Sequence, residues 1–230
     1  HSTGGNNIAI GNTAMYDTNQ SAETLASAEN IFIGNASGSG TWTTAACNYN
    51  VAVGNNTMDA VMNGALDNTA VGNISLSGLT SGGYNTALGS NAGRNITTGE
   101  KNVALGAYAL DAAAGSHASN GEDSNIAIGH GSLSAANAGD ESGARVYANI
   151  AIGENALLGG NFTGEDRNLD YNIAIGANAL NSTGTANHIN SICIGADAGT
   201  SMNHSASSAT LAIGTSAAAS LTEGAGCVAL

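Results

Sequence analysis

Carboxylates are the first residues in this sequence with the type and spacing for chemistry. Three loops repeat a glycine-acid-acid phrase: Gly121-Glu122-Asp123, Gly139-Asp140-Glu141 and Gly164-Glu165-Asp166. Neighbouring carboxylates offer several oxygens, which is what a hard cation such as Ca²⁺ requires. Glu122, Asp123, Asp140, Glu141, Glu165 and Asp166 are therefore the candidate cation ligands. Receptor contact and plain solvation are the other uses open to them, and Arg145 and Arg167 lie near enough in sequence to pair with them. Neither an EF-hand pattern nor the Gly-Gly-x-Gly-x-Asp of calcium-binding nonapeptides is present. The five histidines are His1, His117, His130, His188 and His204. No two of them have the spacing of one metal site. His130 directly follows a recurring glycine; in a threefold assembly an axial histidine would form a ring of three, so His130 joins the metal candidates.

Nucleophilic chemistry has less support. No Gly-x-Ser-x-Gly phrase marks a nucleophile elbow, and the many serines sit in Gly/Ser/Asn stretches that read as loops. A polysaccharide depolymerase would need two carboxylates about 5–10 Å apart in a groove, and no pair in the sequence is preferred. Cys47, Cys193 and Cys227 are an odd set at wide spacing, neither a disulfide framework nor a zinc site. No cofactor motif is present, and the reading is that the chain is not an enzyme. Trp42, Tyr49, Tyr84, Tyr108, Tyr147, Phe162 and Tyr171 lie in or beside variable stretches. They could stack on sugars or pack against the body of the fold.

Net charge excludes further classes. Seventeen acidic residues against four basic ones give −13 over 230 residues. Four cations cannot neutralise a phosphate backbone, which argues against nucleic acid. No apolar run approaches the length of a membrane-spanning helix, about 20 residues, which argues against membrane insertion by a helix.

The elements that must position these residues are set by a repeat. A phrase Asn-(Ile/Val/Thr)-Ala-(Ile/Val/Leu)-Gly recurs from end to end: Asn7 to Gly11, Asn50 to Gly54, Asn85 to Gly89, Asn102 to Gly106, Asn125 to Gly129, Asn149 to Gly153 and Asn172 to Gly176. Its closing glycines, from Gly11 to Gly214, mark eleven copies at uneven intervals, tightest from Gly72 through Gly89 to Gly106 and widest from Gly129 to Gly153. A twelfth copy opens at Cys227-Val228-Ala229-Leu230, so the chain is expected to continue beyond Leu230. All length variation falls between copies, in Gly, Asn, Ser, Thr and acidic residues. A constant coil with a variable loop is the behaviour of a solenoid.

Each phrase has period 2 and β-branched residues, which predicts a short strand. Its Ile/Val positions form one face. The Ala between them faces the other way, and its persistent smallness implies that this face too meets something closely. The glycine fits a sharp corner at positive φ. The asparagine is read either as a stacked ladder or as a turn cap. The absence of proline fits strands that donate to neighbours on both sides. The expected fold is all-β: a repetitive parallel β-helix or β-roll solenoid over residues 1–230, with eleven coils and a truncated twelfth. Thin coils with two small faces invite association, so an intertwined or side-by-side homotrimer is expected. At roughly 4.8 Å per coil the rod would be roughly 55 Å long.

The stretch Asn85-Thr86-Ala87-Leu88-Gly89-Ser90-Asn91-Ala92-Gly93, followed by Asn95-Ile96-Thr97-Thr98-Gly99 and Asn102-Val103-Ala104-Leu105-Gly106, resembles repeats of bacteriophage tail fibres and related appendage proteins. In those proteins such repeats often precede an intramolecular chaperone domain that is cleaved off. The Ala-Ile-Gly phrase is also similar to the head repeats of trimeric autotransporter adhesins, which form a left-handed parallel β-roll trimer. Adhesin heads use a tighter repeat than the uneven coils here, which favours the fibre. The resemblance implies a structural and adhesive segment, extracellular or on a virion. Its partners would be copies of itself and a host-surface glycan or protein. A bacterial surface adhesin or extracellular filament is the alternative, and a capsule depolymerase the remote one.

Overall fold

A computed structural model describes residues 5–17, 26–111, 124–135, 145–159, 168–183, 187–202, 208–221 and 226–230. Among these the chain forms fifteen short strands and no helix. The first seven are β1 (Ile8–Ile10), β2 (Ile31–Ile33), β3 (Val51–Val53), β4 (Thr69–Val71), β5 (Thr86–Leu88), β6 (Val103–Leu105) and β7 (Ile126–Ile128). Then come β8 (Arg145–Tyr147), β9 (Ile150–Ile152), β10 (Asn168–Asp170), β11 (Ile173–Ile175) and β12 (His188–Ile189). The last are β13 (Ile192–Ile194), β14 (Leu211–Ile213) and β15 (Val228–Ala229). Twelve of them, one per phrase, stack in chain order into a single parallel sheet; β8, β10 and β12 form a second sheet of three. The architecture is a parallel β-solenoid.

The register is one to one. Ala52 pairs with Ala70, Ala70 with Ala87 and Ala87 with Ala104, and the phrase glycines follow in step. Each such glycine has φ between +126° and +143°. A Cβ on Gly54 would fall on the Gly72 carbonyl, and the same contact recurs down the column. Glycine is required at this corner because successive coils touch backbone to backbone there.

The column of small residues proves to be the interior. From Phe32 to Ala212 the middle residue of every phrase strand is buried at 0–1% exposure, whereas the flanking Ile, Val, Leu and Thr are half-buried or exposed. The Ala face therefore meets the opposite wall of its own coil. That wall supplies the bulk. Two and four residues after each glycine the backbone turns through the left-handed region, as at Asn56 and Met58 or Asn178 and Leu180. The second of these positions places Met58, Leu76, Leu110, Leu133, Leu157 and Leu180 in the core. Their N–H groups donate to the next coil, Leu133 to the Ala156 carbonyl at 3.0 Å and Leu157 to Ala179 at 2.8 Å.

Departures from Ala are compensated inside the same coil. Phe32 fills the small slot where the turn position is Gly38, and a Cβ there would strike the Phe32 ring at 2.5 Å. Trp42 completes that layer, edge-on to Phe32 at 5.7 Å, with Nε1 donating to the Gly38 carbonyl at 3.1 Å. Cys193 likewise faces Gly199, where a Cβ would lie 2.6 Å from its Sγ. Close packing leaves no room for bulk on both walls at once.

The asparagines form the ladder. Nine of them stack: Asn7, Asn30, Asn50, Asn68, Asn85, Asn102, Asn125, Asn149 and Asn172. Each after the first donates from Nδ2 to the Oδ1 of the preceding coil at 3.0–3.1 Å. The backbone N–H of each such rung donates to that same Oδ1. Asn125 shows the full set: Nδ2 also donates to the Val146 carbonyl at 2.9 Å, and Oδ1 accepts twice from Asn149. A buried primary amide satisfied on all sides replaces a missing hydrophobic wall with hydrogen bonds. The ladder ends at Ser191, whose N–H donates to Asn172 Oδ1 at 3.0 Å.

Candidate functional site

Among the described residues an extended chemical feature of the surface is the outward face of the long sheet. Two residues of every strand point away from the coil: Ile31 and Ile33, Val51 and Val53, and so on to Leu211 and Ile213. Only Thr69 and Thr86 interrupt an otherwise aliphatic column. Midway along it Leu88 and Leu105 are 46% and 40% exposed. With strands about 4.8 Å apart and neighbouring outward side chains about 7 Å apart, the stripe is about 50 Å long and about 10 Å wide. That is on the order of 500 Å² of contiguous apolar surface, at the upper end of what a monomer leaves uncovered. β-branched residues sit well on a pleated strand, so the sequence that forms the sheet also forms the stripe.

The carboxylate pairs Glu122/Asp123, Asp140/Glu141 and Glu165/Asp166 lie outside the described residues, as do Arg167, Phe162 and His117. His130 is exposed on the turn after β7, its ring edge-on to Tyr108 at 5.7 Å. Among the described residues no group of three or more His, Cys, Asp or Glu comes together. The aromatics divide. Trp42 belongs to the core, whereas Tyr49, Tyr84 and Tyr171 are each about half exposed. These three share one corner, the residue before the ladder asparagine, at φ 56–61°.

Three interior groups carry displaced ionisation. His188 follows Val146 and Leu169 in the core column of the three-stranded sheet, and neither ring nitrogen has a hydrogen-bond partner of ordinary geometry. Burial pushes its pKa down to about 4, against a weaker opposing hydrogen bond to the Thr183 main chain. Burial raises the thiol of Cys193 to about 11 and also raises that of Cys47. Neutral, enclosed groups of this kind are core components, not reactive centres.

One polar cluster is built on the outer side of the three-stranded sheet. Arg145 Nε lies 2.7 Å from Asp170 Oδ2, and the Arg145 guanidinium stands 5.5 Å from the centre of the Tyr147 ring. Tyr171 packs edge-on against Tyr147 at 5.4 Å. The Asp170 side chain is 1% exposed and that of Arg145 is 45% exposed. Burial raises the Asp170 carboxyl above the ordinary carboxylate range, opposed by the Arg145 hydrogen bond and charge and by the Tyr147 main chain. Asp170 in turn raises Arg145. Sequence reading missed this cluster because Arg145 precedes Asp170 by 25 residues. The signal available was the one long-coil region where a basic residue starts a β-branched/aromatic triplet, Arg145-Val146-Tyr147.

Compared with protein-family models, with curated proteins and with solved structures, the chain matches none.

Proposed function

We propose that this chain is a non-enzymatic structural and adhesive fibre segment, of the kind used in a phage tail fibre or virion appendage. In this reading copies of the rod associate side by side along the aliphatic stripe, as a homotrimer. The variable loops then face outward and meet a host cell surface. The observation that carries the reading is the aliphatic face, broken only by Thr69 and Thr86, on twelve parallel strands. An uncovered stripe of this size marks an interaction surface. Three copies turned toward one axis would each cover it with the stripes of the other two. The acidic surface limits non-specific adhesion, and repetition of loops round and along a trimer multiplies weak contacts.

Immunogold electron microscopy of the native source, with antibody raised against residues 1–230, tests this placement. Label along fibres attached to virions is the expected result. Label confined to cell envelopes or free filaments would contradict it and favour a bacterial surface adhesin or filament.

A further inference from the structure

The cluster on the three-stranded sheet has the parts of an anion-binding site on a strongly acidic molecule. Arg145 and Tyr147 are two apart on β8 and share its outer side. Asp170 is in register with Tyr147 on β10, and Tyr171 follows at the corner. Asp170 takes only the Nε of Arg145. Among the described residues the two terminal nitrogens of the guanidinium have no partner, and the side chain is 45% exposed. The Asp170 carboxylate holds Nε at 2.7 Å and the Tyr147 ring stands 5.5 Å from the guanidinium, which limits the rotamer freedom left to lose on binding. The other described basic side chains are placed differently. Lys101 lies beside Glu100 at 3.3 Å on an open surface, and Arg94 beside Asp111 at 2.9 Å. Neither has an aromatic ring against it among the described contacts.

One further observation bears on the ligand. Tyr171 offers a ring 49% exposed, held at a left-handed corner of φ 56° that a tyrosine rarely adopts. The same corner recurs at Tyr49, Tyr84, Lys101 and Asn190, so the coil sets this backbone and the exposed ring is what distinguishes the position. The Asp170 side chain itself is 1% exposed and anchors Arg145 from below the surface. A planar carboxylate fits a guanidinium fork with two parallel hydrogen bonds. A pyranose ring fits a tyrosine face.

We infer that Arg145, Tyr147, Asp170 and Tyr171 form a binding site for a carboxylate-bearing saccharide, with Arg145 holding the carboxylate and Tyr171 the sugar ring. The inference stands on this geometry and does not depend on the fibre reading. It holds equally for a rod that spaces and a rod that adheres.

Three arginines are present in the whole chain, so Nε–Hε resonances of the isotope-labelled protein resolve the site directly. Titration with methyl β-D-glucuronide is expected to shift the Arg145 signal. Methyl β-D-glucoside, acetate and inorganic phosphate should bind at least about tenfold more weakly, each lacking the carboxylate or the ring. Arg145→Lys keeps the charge but loses the fork and should weaken glucuronide about tenfold. Tyr171→Asn suits the left-handed corner, where Asn190 stands in the next coil, and should do the same without unfolding the rod. Phosphate binding as well as glucuronide would reduce the site to a bare charge contact and overturn the proposal. So would an unshifted Arg145 signal, or unchanged affinity in Arg145→Lys.

Discussion

At the scale of single residues, the ladder asparagine is the most heavily hydrogen-bonded side chain described in the rod. Asn125 makes two donor and two acceptor contacts inside the rod. Asn125→Ala strips the acceptor from two Asn149 donors and removes the amide donor to the Val146 carbonyl. Each orphaned buried group costs about 1–3 kcal/mol, so a loss of about 3 kcal/mol or more is expected in urea denaturation. Asn125→Asp retains the acceptor and the approximate shape but buries a charge. Its stability should recover as the pH falls and the carboxyl is protonated, whereas that of Asn125→Ala should not. His188 works in the opposite sense. Its folded pKa of about 4 lies below the unfolded value of 6.5. The unfolded chain therefore binds the extra proton between these values. The contribution of His188 is complete above pH 6.5 and is lost progressively down to about pH 4. The slope is at most about 1.4 kcal/mol per pH unit. Burial raises Asp170, Asp111 and Asp59, and these contribute with the reverse slope. The difference between wild type and His188→Leu isolates the histidine. A wild-type curve parallel to that variant from pH 7 to 4 would rule out the buried neutral ring. The thiols give a direct check on the interior: with Cys47 and Cys193 enclosed and Cys227 partly open, a native thiol titration should find one fast-reacting group. Three fast groups would contradict the packing.

At the scale of one coil, the corner and the facing wall set the tolerance. Gly129→Ala places a methyl against the Gly153 carbonyl carbon at 2.7 Å, at φ +128°. Both the contact and the backbone region disfavour any side chain, so loss of several kcal/mol, or failure to fold, is expected. Leu133→Ala removes bulk from the wall opposite the Ala column and should cost about 3 kcal/mol. A paired change tests the compensation seen at Phe32 and Gly38. Leu133→Gly combined with Ala127→Phe should be less destabilising than the sum of the two singles, and strict additivity would refute the coupling. The strand, its spacing and the parallel stacking were legible in the sequence because period, β-branching and the glycine all agree. Which face looks inward was not. The usual rule sends Ile and Val to the core, but here the coil is narrow and Leu from the turn takes the space. That turn has no simple signature, because residues as unlike as Asn56, Ile74, Tyr108 and Asp197 occupy its first left-handed position. Close packing between coils, not intrinsic preference, holds them there. The Arg145 cluster was illegible for another reason: it joins residues one coil apart, and the loop length between them had to be known first.

At the scale of the whole molecule, the stripe of Ile, Val and Leu is what a solitary rod does not explain. Solvation of an aliphatic stripe about 50 Å long is unfavourable at about 25 cal/mol per Å². It becomes favourable to bury once copies cover it. A charge on the stripe should therefore act on assembly and leave the coil intact. Ile128 and Ile152 are partly exposed neighbours on adjacent strands. Ile128→Lys with Ile152→Lys should keep the wild-type β spectrum while dissociating the assembly. Unfolding of the variant would instead mean that these side chains belong to the core. Sedimentation equilibrium of the unmodified chain tests the central claim most directly. Self-association along the stripe predicts a particle of three times the 22.4 kDa chain mass, persisting into the low micromolar range. A single species of one chain mass at every concentration would contradict it.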